Sequence, residues 1–429
     1  MSRYITQSFY KSLTPTDKKA ISAVYLFRCI DLDIFHTHFY EKEGRSLDYT
    51  KRRLRKFTKE GVLEKIQYQP RNHAYFLTTI GIRLCEKMLT LPKEAFVAQG
   101  KKTAIGLYNA SSLKLRPSLI NHQLHLNKFV SMFKEKIDHY QVEWSYWNEK
   151  YLGKLTAIRP DGLIELSEYD LILEMDMNTE GSYRLKQKWA NYRIFKRSDE
   201  FTYRERNTQT LFILGDNKNI DQQKLKAKKL IFDNLMDVIS HEFDFAIGTP
   251  DELIKTCIER HQSKGSFHLE SLPTLKKFLS GGLGYAVSPG FQIRQFTNDE
   301  VFDFYIRKLN SNKQVVCNDH MSFEFVVDCY SGVHMSVLKK IAYIEKISQC
   351  FSYAMNRNLK YLVIVPDERL IYCDLVNLGI LGSHLVYFTT LDRLNQLVFH
   401  EALFQYDRYA GLFHFKSENL SERVFEKKI

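Results

Sequence analysis

The sequence predicts a mixed α/β (α+β) chain: an N-terminal helical module closed by a two-stranded ribbon, then two mixed-sheet units in series. Three observations carry that expectation. The excess positive charge sits at one end of the chain, a run of amphipathic helices gives way to two short strands within residues 12–92, and strand and helix patterns alternate from about residue 141 onward. With 429 residues, 44% of them apolar, the chain is long enough for two or three domains with sizeable cores.

The formal net charge is +12. Residues 1–150 contain 26 Lys/Arg against 14 Asp/Glu, whereas residues 151–429 contain 36 of each. One end therefore carries the whole excess, as expected where that end meets a polyanion and the remainder has another task. No apolar run reaches the 18 or so residues of a membrane-spanning helix, so no membrane insertion is expected. The opening MSRYITQSFYKSL lacks the apolar stretch of a signal peptide. Seven scattered cysteines without a CxxC pair read as reduced, buried thiols of a cytoplasmic protein.

Within residues 12–92, Thr14 can cap a helix with Pro15 at its first position and Asp17 in its first turn. Ile21, Val24, Tyr25 and Phe27 give that helix an apolar stripe, and a second short helix fits Leu32 to Phe39. Asp48 is expected to cap a third, Tyr49 to Lys59, whose cations are Lys51, Arg52, Arg53, Arg55, Lys56 and Lys59. Leu54 and Phe57, three apart, point that helix inward and leave the cations around its outer arc. Two strands follow, Leu63–Gln67 and Ala74–Leu77, with Arg71 and His73 in the turn between them, and a closing helix starts near Thr79. This order is that of a winged helix-turn-helix, whose third helix enters the major groove of double-stranded DNA. Lys51, Arg52, Arg53, Arg55, Lys56, Lys59, Arg71 and His73 are the expected DNA contacts.

A basic linker over 93–116 leads to a unit over 117–258. There a helix from about Ser118 to His139 precedes strands Gln141–Tyr146, Leu163–Leu166 and Tyr169–Asp176, with Arg159-Pro160-Asp161-Gly162 before the second strand. Asp161 is placed at a strand end, and Glu174 and Asp176 share one face of the neighbouring strand at spacing two. Carboxylates converging in this way bind Mg²⁺ or Mn²⁺, which stabilises charge on a phosphodiester and lowers the pKa of bound water. The arrangement resembles the PD-(D/E)xK nucleases, with one departure: the lysine expected two residues after the acid is absent. Lys188, on the following helix, takes its place.

These motifs in this order resemble the replication-relaxation family of bacterial mobile-element proteins. The features are Pro160-Asp161-Gly162, then Glu174-Met175-Asp176 running to Thr179-Glu180, then Lys188 and Tyr192 four apart, with His122 on the preceding helix. The likeness covers about residues 12–258 and extends to C-type mobilisation relaxases. It implies plasmid-type DNA processing in a bacterial cytoplasm, with other relaxosome or replication proteins as partners. Glu180, Tyr192 and His122 are secondary site candidates on this basis, and Tyr192 is the one tyrosine that spacing places near the acids.

Residues 265–429 read as a second, degenerate copy. Phe323–Gly332 precedes a helix bearing Lys339 and Lys340, which sets Asp328 against Asp176 and Lys340 against Lys188. In that register Glu174 becomes Val326, Glu180 becomes Gly332, and Asp161 has no clear counterpart, since Asp319 lacks the Pro-Asp-Gly turn. Too few acids then remain to hold a divalent ion. Two function classes follow: a Mg²⁺- or Mn²⁺-dependent nickase or relaxase directed to a plasmid origin by its winged helix, or a non-catalytic origin-binding, relaxosome-accessory or regulatory protein on the same scaffold.

Overall fold

The computed structural model describes residues 7–89, 94–98, 101–104, 108–140, 142–152, 155–167, 169–178, 181–202, 204, 206–215, 219–262, 275, 285–293, 300–308, 323–355 and 358–415. The chain divides into two compact units, 1–208 and 209–429. No helix among the described residues is long and apolar enough to cross a membrane.

After a short helical turn at Gln7–Lys11, the first unit continues with α1 (Pro15–Phe27), entered through a reciprocal cap. Thr14 Oγ1 accepts the Asp17 N–H at 3.1 Å and Asp17 Oδ2 accepts the Thr14 N–H at 2.8 Å, with Pro15 filling the first helical position. A two-residue strand β1 (Ile30–Asp31) leads into α2 (Leu32–Phe35), capped by Asp31. The expected longer helix stops there, and the chain widens into a π turn over His36–Tyr40. The next helix, α3 (Leu47–Lys59), starts two residues before the expected position. Its cap is Ser46, whose Oγ accepts the Tyr49 N–H at 3.3 Å, and Asp48 sits instead in the first turn. An acid there is favourable at the positive end of the helix dipole, so both residues suit a helix start.

Leu54 and Phe57 are buried, as their spacing requires. The ribbon that follows, β2 (Leu63–Gln69) and β3 (Asn72–Leu77), is longer than expected and pairs antiparallel, with β1 on the far side of β3. Only Pro70 and Arg71 remain for the turn, and Arg71 takes the left-handed conformation at φ 67°. Thr78 then caps α4 (Thr79–Cys85), accepting the Ile80 and Gly81 N–H groups at 3.2 Å.

The helix α5 (Pro117–Ile137) precedes three antiparallel strands, β4 (Trp144–Asn148), β5 (Gly162–Leu166) and β6 (Tyr169–Asp176). Every residue of β6 is buried, so its polar side chains Asp170, Glu174 and Asp176 must all find partners inside the protein. Asp170 receives Arg204 Nε at 2.9 Å. The helix α6 (Ser182–Lys196) follows β6. The division between units falls inside the strand Asn207–Leu214.

The second unit contains α7 (Ile220–Leu235), β7 (Phe243–Gly248), and a seven-stranded sheet in chain order. Its strands are β8 (Tyr285–Ile293), β9 (Glu300–Lys308), β10 (Phe323–Cys329), β11 (Asn358–Ile364), β12 (Val386–Thr389), β13 (Phe404–Asp407) and β14 (Gly411–His414). The pairs β10–β11 and β11–β12 are parallel and the other pairs antiparallel. Each parallel pair needs a crossover, supplied by α8 (Met335–Met355) and α9 (Glu368–Leu378). A buried ion pair, Lys228 Nζ with Asp374 Oδ2 at 2.6 Å, ties α7 to α9. The cysteines among the described residues are free, four of them buried.

Candidate functional site

The first unit holds two groups of functional side chains. In the first, α3 and the β2–β3 ribbon face each other across a groove of about 840 Å³. Lys51, Arg55 and Lys59 line it from the helix, one turn apart, and Lys65, Arg71 and His73 line it from the ribbon. Asp31 and Asp33 stand at the same groove. Asp31 is already committed to capping α2, with Oδ1 accepting the Ile34 N–H at 2.9 Å.

The structure sorts the six helix cations into three sets. Lys51, Arg55 and Lys59 face the groove. Arg52 is exposed outside it, and Lys56 lies back over the Phe9 ring, 5.7 Å from the centroid. Arg53 turns inward: its Nε donates to Asp17 Oδ1 at 3.0 Å and its Nη2 pairs with Asp17 Oδ2. Tyr40 Oη donates to the same carboxylate at 2.8 Å. Burial opposes the charge on Arg53, yet Asp17 bonded to it holds its pKa above the usual value. Asp17 is fully buried, so Arg53 anchors α3 to α1 instead of joining the outward face. Arg53→Ala is expected to cost about 2–3 kcal/mol, below the full effect of breaking a buried pair because Arg53 is partly exposed. A fall in Tm with unchanged residual DNA affinity in the folded fraction is the measurement; an unaltered Tm rejects the anchoring role.

Lys65 escaped the sequence reading. The period-two alternation of β2 was its only signal: Lys65 and Gln67 share the exposed face, with Lys65 opposite Tyr75 and Gln67 opposite His73.

The second group lies where α5, β5, β6 and α6 meet. Asp161 stands at the start of β5, not at the end of a strand, and its N–H donates to the Leu173 carbonyl at 3.0 Å. Its Oδ2 accepts the Met175 N–H at 2.8 Å and lies 3.3 Å from His122 Nε2. The same His122 nitrogen is 3.1 Å from the Met175 carbonyl oxygen. On β6, Glu174 Oε2 pairs with Lys188 Nζ at 2.7 Å, and Glu174 Oε1 accepts from Tyr192 Oη. Lys188 thus reaches the acid from α6.

Burial works on each group differently. It pushes Glu174 up to about 7, although the Lys188 charge opposes it. Burial would raise Asp161 too, but the hydrogen bond and charge of His122 hold it below the usual carboxylate range. Burial disfavours charge on His122, yet Asp161 raises its pKa overall. Tyr192 is buried beside Glu174 and its pKa lies well above the ordinary phenol value, which leaves it a poor nucleophile and a good positioning residue.

Asp176 accepts the Asn178 N–H at 2.8 Å and closes the turn after β6. Glu180 and Thr179 lie outside the described residues. Among the described residues no three His, Cys, Asp or Glu side chains form a metal-holding group, so the expected set of Asp161, Glu174 and Asp176 does not converge as three carboxylates. Two side chains and a carbonyl do come together: His122 Nε2, Asp161 Oδ2 and Met175 O. The two distances from His122 Nε2, 3.3 Å to Asp161 Oδ2 and 3.1 Å to the Met175 oxygen, are close to the roughly 3 Å between neighbouring ligands of an octahedral cation. These are the groups that could hold a divalent ion, with Glu174 the residue before Met175 on β6.

Fold and site together define a mixed α/β protein that joins a cation-lined helix–ribbon module to a buried acid–lysine cluster. Residues 33–211, which include most of both groups, match the replication-relaxation family. The family points to a role in the replication or mobilisation of plasmids or mobile elements. No curated protein and no solved structure matches the chain.

Proposed function

We propose that this protein binds double-stranded DNA at a plasmid or mobile-element origin through a winged helix and nicks it at the His122–Asp161–Glu174–Lys188 cluster. The observation that carries the binding half is the placing of Lys51, Arg55 and Lys59 opposite Lys65, Arg71 and His73 across one groove. Cations on both walls of a groove suit a phosphate backbone running through it, while the helix face enters the major groove.

For the nicking half, His122, Asp161 and the Met175 carbonyl would hold a Mg²⁺ or Mn²⁺ ion, with Glu174 beside them. Such an ion supplies charge stabilisation at a phosphodiester and a bound water of lowered pKa. Lys188 keeps an ammonium at Glu174, where it can meet the negative charge that develops on the phosphoryl oxygens. Tyr192 fixes the carboxylate from its other oxygen. Other relaxosome or replication proteins are the proposed partners, in a bacterial cytoplasm.

The test is incubation of the full chain with supercoiled plasmid carrying its origin, with and without Mn²⁺, beside Asp161→Asn. Metal-dependent open-circle product from the wild type alone is the expected result. Binding without any conversion removes the nicking half and leaves the second reading, a non-catalytic origin-binding protein, which the inward commitment of Glu174 to Lys188 and Tyr192 would then explain.

A further inference from the structure

The second unit repeats the order of the first: three antiparallel strands, β8, β9 and β10, then the helix α8. It also repeats a hydrogen-bond signature. In the first unit the acid at the start of β5, Asp161, accepts through Oδ2 the N–H of the residue after Glu174, at 2.8 Å. In the second, Asp303 on β9 accepts through Oδ2 the N–H of Cys329, the residue after Asp328, at 2.8 Å. Asp328 in turn pairs with Lys340 from the following helix, as Glu174 pairs with Lys188, and each acid accepts a tyrosine hydroxyl, Tyr361 from β11 at 2.5 Å in one case and Tyr192 from α6 in the other.

Asp303, Asp328 and Lys340 therefore occupy the places of Asp161, Glu174 and Lys188. This corrects the register expected from the sequence, which set Asp328 against Asp176 and found no partner for Asp161; Asp319 lies outside the described residues. The acids of the second copy are not missing.

Access to the lysine is what differs. The paired carboxylates are equally buried, Glu174 at 1% and Asp328 at 2%, and Asp161 and Asp303 are both partly exposed, but the Lys188 side chain is 21% exposed against 6% for Lys340. Lys340 Nζ also donates to the Val301 carbonyl at 2.7 Å and stands 4.6 Å from the Phe302 ring centroid. Tyr361 is fully buried and packs edge-on against that ring. A backbone phosphate cannot reach an ammonium committed in this way without unpacking the unit.

We propose that the segment β8–β10 with α8 is a sealed copy of β4–β6 with α6, its acid–lysine pair retained as a core ion pair and closed to nucleic acid. Each chain then has one reacting position, which suits single-strand nicking. The count of reacting positions rests on the nicking reading, but the sealing does not.

Lysine acetylation of the full chain, read residue by residue by mass spectrometry, tests the sealing directly. Lys340 is expected to react several-fold more slowly than Lys188, because it must leave both ion pair and interior. Duplex DNA should slow Lys188 and leave Lys340 unchanged. Equal reactivity, or protection of Lys340 by DNA, overturns the proposal whether or not the protein cuts. A second variant series reads the same point through folding. Lys340→Met should lower Tm, Lys340→Met with Asp328→Asn should recover much of the loss, and both should nick plasmid at the wild-type rate if the wild type nicks. A Lys340→Met protein with normal Tm also overturns the core ion pair.

Discussion

Alanine at Lys51, Arg55 and Lys59 together is expected to weaken duplex DNA binding by about two to three orders of magnitude near 0.1 M salt. Each cation that meets a phosphate releases a condensed counterion, so the slope of log K against log salt should become shallower by about 0.9 per contact, or roughly 2.7 for three. These residues are chosen by geometry, since they alone of the helix cations line the groove shared with the ribbon. None of the three is buried, and alanine favours helix, so α3 should persist. Fluorescence anisotropy across a salt series measures both quantities. Arg52→Ala, at an exposed position outside the groove, should cost far less. Equal losses from Arg52 alone and from the triple variant would show that another face of the helix meets the DNA.

The local features of this chain were legible because neighbours in sequence decide them. Thr14, Pro15 and Asp17 build their cap within four residues, and the spacing of Leu54 and Phe57 orients α3 without help from the rest of the fold. Ser46 and Asp48 are both good residues for a helix start, so composition alone placed the cap two residues late. Arg53 shows a harder limit. Its partner Asp17 lies 36 residues away, and only the packing of α3 on α1 separates this arginine from Arg52 and Arg55. The acid cluster divides in the same way. Asp161, Glu174 and Lys188 were readable as side-chain types at suggestive spacing, but the Met175 carbonyl is a backbone group with no sequence signature. The repeat was misregistered for that reason as well: matching side chains aligned Asp328 with Asp176, while cross-strand backbone bonds align it with Glu174.

Lys188→Met is expected to lower the rate of plasmid nicking by about two to three orders of magnitude while leaving DNA affinity within a factor of about two. Lys188 supplies the cluster's ammonium at Glu174 and has no place in the groove, so the loss should fall on the chemical step. Its removal leaves Glu174 buried with Tyr192 as the remaining hydrogen-bond donor. An uncompensated carboxylate at that depth would be strongly destabilising, but burial already pushes Glu174 up to about 7. The group can therefore take up a proton instead of holding a naked charge, and Tm should fall by only a few degrees. Catalysis and stability thus part company at this residue, in contrast to Arg53, where stability carries the whole effect. Single-turnover formation of open circles, anisotropy and a thermal melt on the same preparation separate the three quantities. Wild-type nicking by Lys188→Met would remove the lysine from the reaction, and a collapse of Tm with proportionate loss of nicking would reduce it to a core ion pair like that of Lys340.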